Sequence, residues 1–353
     1  MKNLVLLGAG QAHLQLLSRL ASKHAGDIQI TLIAPYPVQL FAPMLAGFVA
    51  GHHSLEECLI GLEALRKRAD VGWLNRHVAA LDANARTVKL DNGSTFGFDW
   101  LSVNADLVQD RQQIEAALPG AREHGLFLRP LASFGALWPR VAELGIGRAL
   151  RIAVLGSTHE AVELALAVRQ RLPNAAVTLV ADDPAMTGQT QAAALGHRVA
   201  LLKQHRVTLL PDAAVGIEAE QILLASGARL ACDVPLLANP GQTPAWLTQS
   251  GLGLDGDGFV ALDACRRSLS HPNVFAANDV AGHADPALVK NLAALLSGAR
   301  ARPYPRSDSA VHFTAYGNRR ALFEWGSFSA RGRWVGWLKE RLDRRDVQRY
   351  RAD

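Results

Sequence analysis

The run LVLLGAGQAH brings Gly8 and Gly10 to the end of an apolar segment. At a strand end, the first glycine of such a pair makes a tight turn. The second lets a backbone approach a pyrophosphate, which rests on the N-terminal amides of the following helix. His13 stands where a third glycine is usual, and a short Gly-x-Gly also serves as a plain turn, so both readings stay open. Ala34 closes the next strand-like segment in place of the usual acidic ribose ligand, so any ribose contact must come from elsewhere.

The other reactive side chains carry weaker patterns. Cys58, Cys232 and Cys265 lie far apart, with no Cys-x-x-Cys pair and no metal-ligand spacing, and read as reduced thiols of a cytosolic protein. The neighbours His52 and His53 suit either proton donation to a substrate or a loop and helix-cap role.

These residues need a scaffold, and the sequence repeats one grammar. The first unit is strand Leu4–Gly8, glycine turn, a helix through Gln15–Ala21 and strand Ile28–Ile33. The second is strand Arg151–Leu155, turn at Gly156, a helix to about Leu172 and strand Ala176–Ala181. Each is a βαβ unit, and each is followed by short β-rich runs, turning at Asp91-Asn92-Gly93 and at Ser226-Gly227. A late strand ends at Ala276, and Asp285-Pro286 offers an N-cap and first-turn proline for a helix through Leu296.

A length of 353 residues, 49% hydrophobic and 20% charged, predicts an ordinary globular chain of two or more domains. The apolar start is too short for an export signal, and no stretch is long enough to span a membrane, so a cytoplasmic location is expected. The net charge is +5, and residues 331–353, with eight basic and four acidic side chains, carry most of it. Charge so confined argues against a nucleic-acid-binding body. In that tail Trp334, Leu338 and Leu342 recur every four residues beside Trp337, with Arg331, Lys339, Arg341, Arg344 and Arg345 as basic surface. This is the pattern of an interfacial helix on the inner face of a membrane, or of a helix docked on its own domain or on a twin subunit; Asp343 and Asp346 weaken the membrane case.

The whole pattern resembles the two-dinucleotide-fold flavoproteins of the pyridine nucleotide-disulfide oxidoreductase superfamily, closest to type II NADH dehydrogenases and selenophosphate synthase-associated FAD oxidoreductases. The resemblance rests on GAGQAHLQLL, PYPVQLFAPMLAGFVAGHHS, FDWLSVNADL, VLGSTHEAVELALAV, GFVALDACRRSLSHPNVFAANDVAG and WVGWLKERLDRRDVQRY. It implies an α/β fold of two Rossmann-like domains, with FAD bound by residues 1–120 and 240–302, a degenerate NAD(P)-binding-like domain at 121–239, and a short C-terminal region at 303–353 with a basic amphipathic helix.

Carried over residue by residue, the resemblance places the FAD pyrophosphate on Gly8, Ala9, Gly10, Gln11, Ala12 and His13, and the adenine on the backbone of Val78. It puts Pro43 and Met44 against the flavin, and Asp279, beside Asn278, on the ribityl chain. The helix that starts near Asp285 and carries Val289 would aim its amide end at the flavin's pyrimidine edge, where a positive helix end favours the reduced anion. Gly156, Ser157 and Thr158 form the second loop, for NAD(P)H.

Departures from that pattern bear on function. Asn278 replaces a glycine, Asn104-Ala105-Asp106 puts a carboxylate near the diphosphate, and Glu160 would repel a pyrophosphate if it faced the second loop. No redox-active cysteine pair occurs near residues 40–60, so a flavin would pass electrons directly to an acceptor. The expected function is an FAD-dependent oxidoreductase passing electrons from NAD(P)H to a quinone-like or small organic acceptor. The alternatives are a flavoenzyme that oxidises a specialised substrate without NAD(P)H, and a degenerate homologue acting as a partner or regulator.

Overall fold

The computed structural model describes residues 2–20, 28–182, 192–277, 285–304, 311–326 and 328–351. Its centre is a pair of parallel five-stranded sheets. In the first, strand Lys2–Leu7 lies between Ile28–Ile33 and Trp100–Val103, with Leu7 level with both Ile33 and Val103. In the second, Arg151–Leu155 lies between Ala176–Val180 and Val234–Leu237, with Leu155 level with Val180 and Leu237. Each central strand therefore ends in a crevice between two neighbours that connect in opposite directions, the place where open α/β sheets bind ligands.

Burial explains why these runs become central strands. Leu4, Val5, Leu6 and Leu7 are all fully buried, and alternate residues enter two different core clusters, as expected of a strand covered on both faces. Helix Gln11–Leu20 covers one face with Leu14, Leu16 and Leu17, and helix His159–Arg171 does the same in the second unit through Val162, Leu164 and Val168. Both expected turns occur, with Gly93 and Gly227 in the left-handed region between antiparallel strands.

Helix Pro286–Leu296 starts on its Asp285 cap, as the sequence predicts. The C-terminal region is richer than expected. A three-stranded antiparallel sheet, Val311–Ala315, Ala321–Trp325 and Phe328–Gly332, precedes helix Arg333–Arg351. That helix buries Val335, Val347 and Tyr350 and exposes Trp334, Trp337 and Leu342. Leu338 is only half-buried, so the outward apolar stripe differs from the four-residue repeat read in the sequence. Lys339 and Asp343, read there as surface charges, turn inward and pair at 2.7 Å. Among the described residues, no helix is long and apolar enough to cross a membrane.

Candidate functional site

One cavity of about 1410 Å³ runs along the ends of both central strands. Gly8, Ala9, Gly10 and Gln11 line it from the first sheet, and Thr158, His159, Glu160 and Glu163 from the second unit. Gly8 sits at φ +86°, and a Cβ there would lie 2.5 Å from the Ala105 Cα. A Cβ on Gly10 would lie 2.5 Å from the Asn104 side-chain oxygen. Both glycines are thus required by close packing of the turn against residues 104–105, whatever the turn holds.

Asn104 is the residue whose role the sequence did not disclose. Its Oδ1 accepts from the amides of Ala12 at 3.0 Å and His13 at 3.4 Å, and its backbone oxygen accepts from Gly10 N–H at 3.1 Å. It therefore caps helix Gln11–Leu20 from across the sheet. The expected amide of Ala12 is already taken, while the Asn104 side-chain NH₂, on the cavity wall, has no partner among the described residues.

His13 lies beneath the turn rather than on the cavity wall. Its Nδ1 bonds the Gly8 carbonyl at 2.7 Å and its Nε2 meets the Ser102 hydroxyl at 2.8 Å. Burial pushes its pKa down to about 4, against the opposing pull of the Gly8 carbonyl, so the ring is neutral, donating to Gly8 and accepting from Ser102. A third glycine is replaced by a pin.

The sign of the stability effect follows. Between about pH 6.5 and 4 the unfolded chain protonates this histidine while the fold resists, so stability falls with falling pH by up to about 3 kcal/mol. Urea unfolding of wild type and His13→Gln across that window should show the wild type's advantage shrinking as pH drops; a constant difference would refute the assignment.

Val78 and Pro43 line the cavity. Met44 does not: it is buried in the core and borders a separate pocket of about 50 Å³ beside His52 and His53. Val289 is likewise fully buried in the core. The expected amide contact from its helix is also closed off. Pro286 has no N–H, Asp285 Oδ1 accepts from Ala287 and Leu288, and Val289 N–H bonds the Asp285 carbonyl at 3.2 Å. Asn278 and Asp279 lie outside the described residues.

The second loop holds together by different means. Gly156 is pressed against the Ala238 carbonyl, 2.5 Å from where its Cβ would be, and Ser157 donates to Asp182 at 2.5 Å. Neither Gly156 nor Ser157 is among the residues lining the cavity. Thr158 is, and its hydroxyl caps helix His159–Arg171 at Ala161 N–H.

The two acidic departures acquire partners. Glu160 forms a two-oxygen contact with Arg129 Nη2 at 2.9 and 3.1 Å, so its charge is met by a cation that no sequence pattern linked to it. Asp106 opens onto the cavity and accepts from Gln39 at 3.1 Å. Enclosure by the surrounding protein raises its pKa, against the Gln39 hydrogen bond and the Arg129 charge.

A further acid–base group stands in the same wall. Glu163 accepts from Ala315 N–H at 2.7 Å, and burial raises its pKa to about 7, against Lys339 and that hydrogen bond. Lys339 donates to the Pro43 carbonyl at 2.5 Å and to Asp343 at 2.7 Å. Burial pulls Lys339 down, but the carboxylates of Asp343 and Glu163 outweigh it and leave its pKa raised. Such a carboxyl beside a fixed cation can hold or release a proton near neutrality.

The family model for pyridine nucleotide-disulphide oxidoreductases matches residues 2–300. The chain belongs to that family. It is 33% identical over 104 residues to a type II NADH:quinone oxidoreductase of Staphylococcus saprophyticus; the match covers 29% of this chain and 26% of that protein. Among solved structures, the family member described here is similar in fold to the sulfide:quinone oxidoreductase of Aquifex aeolicus, with a TM-score of 0.78, 16% identity and 99% and 92% of the two chains covered. NDH2 of Plasmodium falciparum in complex with NADH gives a TM-score of 0.74 at 9% identity, covering 98% and 96%. At these identities the structural likeness establishes the fold of this oxidoreductase-family chain.

Proposed function

We propose that the chain holds FAD in the cavity and passes electrons from a nicotinamide nucleotide to a quinone-like or small organic acceptor. The observation that carries this reading is convergence: the glycine turn after the first central strand and the N-terminal end of the helix after the second line one cavity together with Glu163 and Lys339. At about 1410 Å³ it exceeds the roughly 300–1,000 Å³ of a pocket for one small ligand.

The residues fit such a cofactor. The packed turn at Gly8 and Gly10 brings backbone to the cavity, and Asn104 offers its unpartnered NH₂ to a diphosphate oxygen while relaying the charge of the helix end it caps. Arg129 neutralises Glu160, which removes the expected repulsion. Bound there, a flavin supplies hydride acceptance and onward electron transfer. The chain's share is to orient it, to exclude water, and to hold an exchangeable proton at Glu163.

The visible spectrum of purified protein, before and after anaerobic NADH, tests the reading. A band near about 450 nm, expected of any oxidised flavin, should bleach. A protein that stays colourless after reconstitution with FAD would overturn it.

Asp182 supports NADH as the donor. It follows strand Ala176–Val180 of the second unit, where a carboxylate suits a ribose 2′-hydroxyl and repels a 2′-phosphate. NADH should reduce the protein at least about tenfold more efficiently than NADPH, a gap that Asp182→Ser should narrow in stopped-flow reduction.

The outer face of helix Arg333–Arg351 supports contact with a lipid surface rather than a twin subunit. Trp334 and Trp337 are 61% and 60% exposed beside Arg341, Arg344 and Arg345, and exposed Leu342 also lines the cavity, which gives an apolar acceptor a route inward. With both aspartates facing inward or half-buried, the objection from Asp343 and Asp346 weakens. Co-sedimentation with anionic vesicles should drop several-fold in a Trp334→Ala, Trp337→Ala double variant; unchanged binding would exclude this face.

A further inference from the structure

A second cluster of buried polar groups lines the cavity between helix Ala192–Gln204 and the C-terminal sheet. Arg198 Nη2 donates to Glu324 Oε2 at 3.0 Å, with the two side chains 3% and 7% exposed. This pair is made at one point only. Arg198 Nε and Glu324 Oε1, which a two-point fork would have consumed, are buried with no partner among the described residues. A buried donor and a buried acceptor without partners, on two residues that line the cavity, are costly in an apolar setting and call for a ligand that meets both.

The surroundings define the rest of that ligand. Half-buried His312 stands opposite Glu324 on the neighbouring strand and so shares its face of the sheet, and the His312 ring lies 5.4 Å from that of His159, which is tied to Thr314 at 3.1 Å. Burial and the neighbouring Arg198 lower the His312 pKa, against Glu324, so the wall presents a neutral imidazole to a flat partner.

We propose that Arg198 and Glu324 form a recognition site for a planar ring bearing a carboxamide or lactam edge. The carbonyl oxygen accepts from Arg198 Nε–H and the adjacent N–H donates to Glu324 Oε1. A carboxylate meets repulsion from Glu324, and a bare ketone satisfies the arginine but leaves the glutamate open. The chemistry is shared by the nicotinamide end of a nucleotide and by a free lactam heterocycle. The inference needs the cavity but not a flavin at Gly8, so it stands or falls apart from the proposed function.

Calorimetric titration of the purified full chain with nicotinamide, 3-acetylpyridine and nicotinic acid separates these cases without turnover. Nicotinamide should bind at least about tenfold tighter than either analogue, the worth of one well-made hydrogen bond. Glu324→Gln should raise the affinity for nicotinic acid, because an amide can donate to a carboxylate; Arg198→Lys should erase the preference for nicotinamide. Nicotinamide mononucleotide binding tighter than uracil assigns the site to a nucleotide, and the reverse assigns it to a free lactam. Equal binding of the three pyridines by wild type, or binding of none, would overturn the proposal whether or not the variants fold.

Discussion

Replacing Asn104 by aspartate should leave the protein folded and strip it of flavin. Aspartate keeps the oxygen that accepts from Ala12 and His13, and it caps a helix as well as asparagine does, with the helix dipole in its favour. What it loses is the NH₂ group facing the cavity, and what it adds is a negative charge beside a diphosphate. At about 4 Å and an effective dielectric constant near 20, that repulsion is about 4 kcal/mol, or roughly a thousandfold in affinity. Asn104→Ala should do the opposite in kind. It loses the cap, worth about 1 kcal/mol of stability, yet brings no repulsion. Melting temperature and FAD affinity measured on both variants separate the two roles. An Asn104→Asp protein that retains flavin would show that the diphosphate lies elsewhere.

The second large effect is expected at Glu163. Glutamine preserves the acceptor for Ala315 N–H but cannot exchange a proton, so electron delivery to the acceptor should slow by about a hundredfold. In wild type, a step that draws its proton from Glu163 should run fastest below pH 7 and fall off above it, because burial sets the carboxyl at about 7 with Lys339, Asp343 and Glu160 around it. The pH profile of Glu163→Gln should lose that inflection. A variant with both rate and inflection intact would remove Glu163 from the chemistry.

Stability carries the opposite sign here. A carboxyl raised from 4.5 to about 7 binds its proton more tightly in the fold, so its contribution declines as pH rises through that window. His13 contributes a rise across nearly the same range, from about 4 to 6.5. The two slopes oppose one another, which is why the histidine is best read from the difference between wild type and His13→Gln.

The parallel sheets were legible because each βαβ unit announces itself through short apolar runs, a glycine turn and a helical period. Asp285-Pro286 likewise encodes its helix start locally. The site was legible only where one residue type implies one geometry, as at Gly8. Pairings across the chain were not. Asn104 meets Ala12 across 92 positions, Arg129 meets Glu160 across 31, and Arg198 meets Glu324 across 126. Nothing local in the sequence marks such partners, since each depends on which strand ends the topology sets side by side. The amphipathic reading of the tail missed the inward Lys339 for the same reason: its partners include the Pro43 carbonyl, from far earlier in the chain.

Helix Arg333–Arg351 has a consequence for mutational tolerance. Most surface helices keep one face on which substitutions are nearly neutral. This one has the Lys339–Asp343 pair and Val335 turned to the body, and tryptophans with arginines turned outward. Between those faces Gly336 passes so close to the Arg319 carbonyl that no side chain fits. A complete substitution scan of this helix should therefore find only a narrow tolerant strip, around exposed Gln348, while stability assays alone would score the tryptophan positions as free.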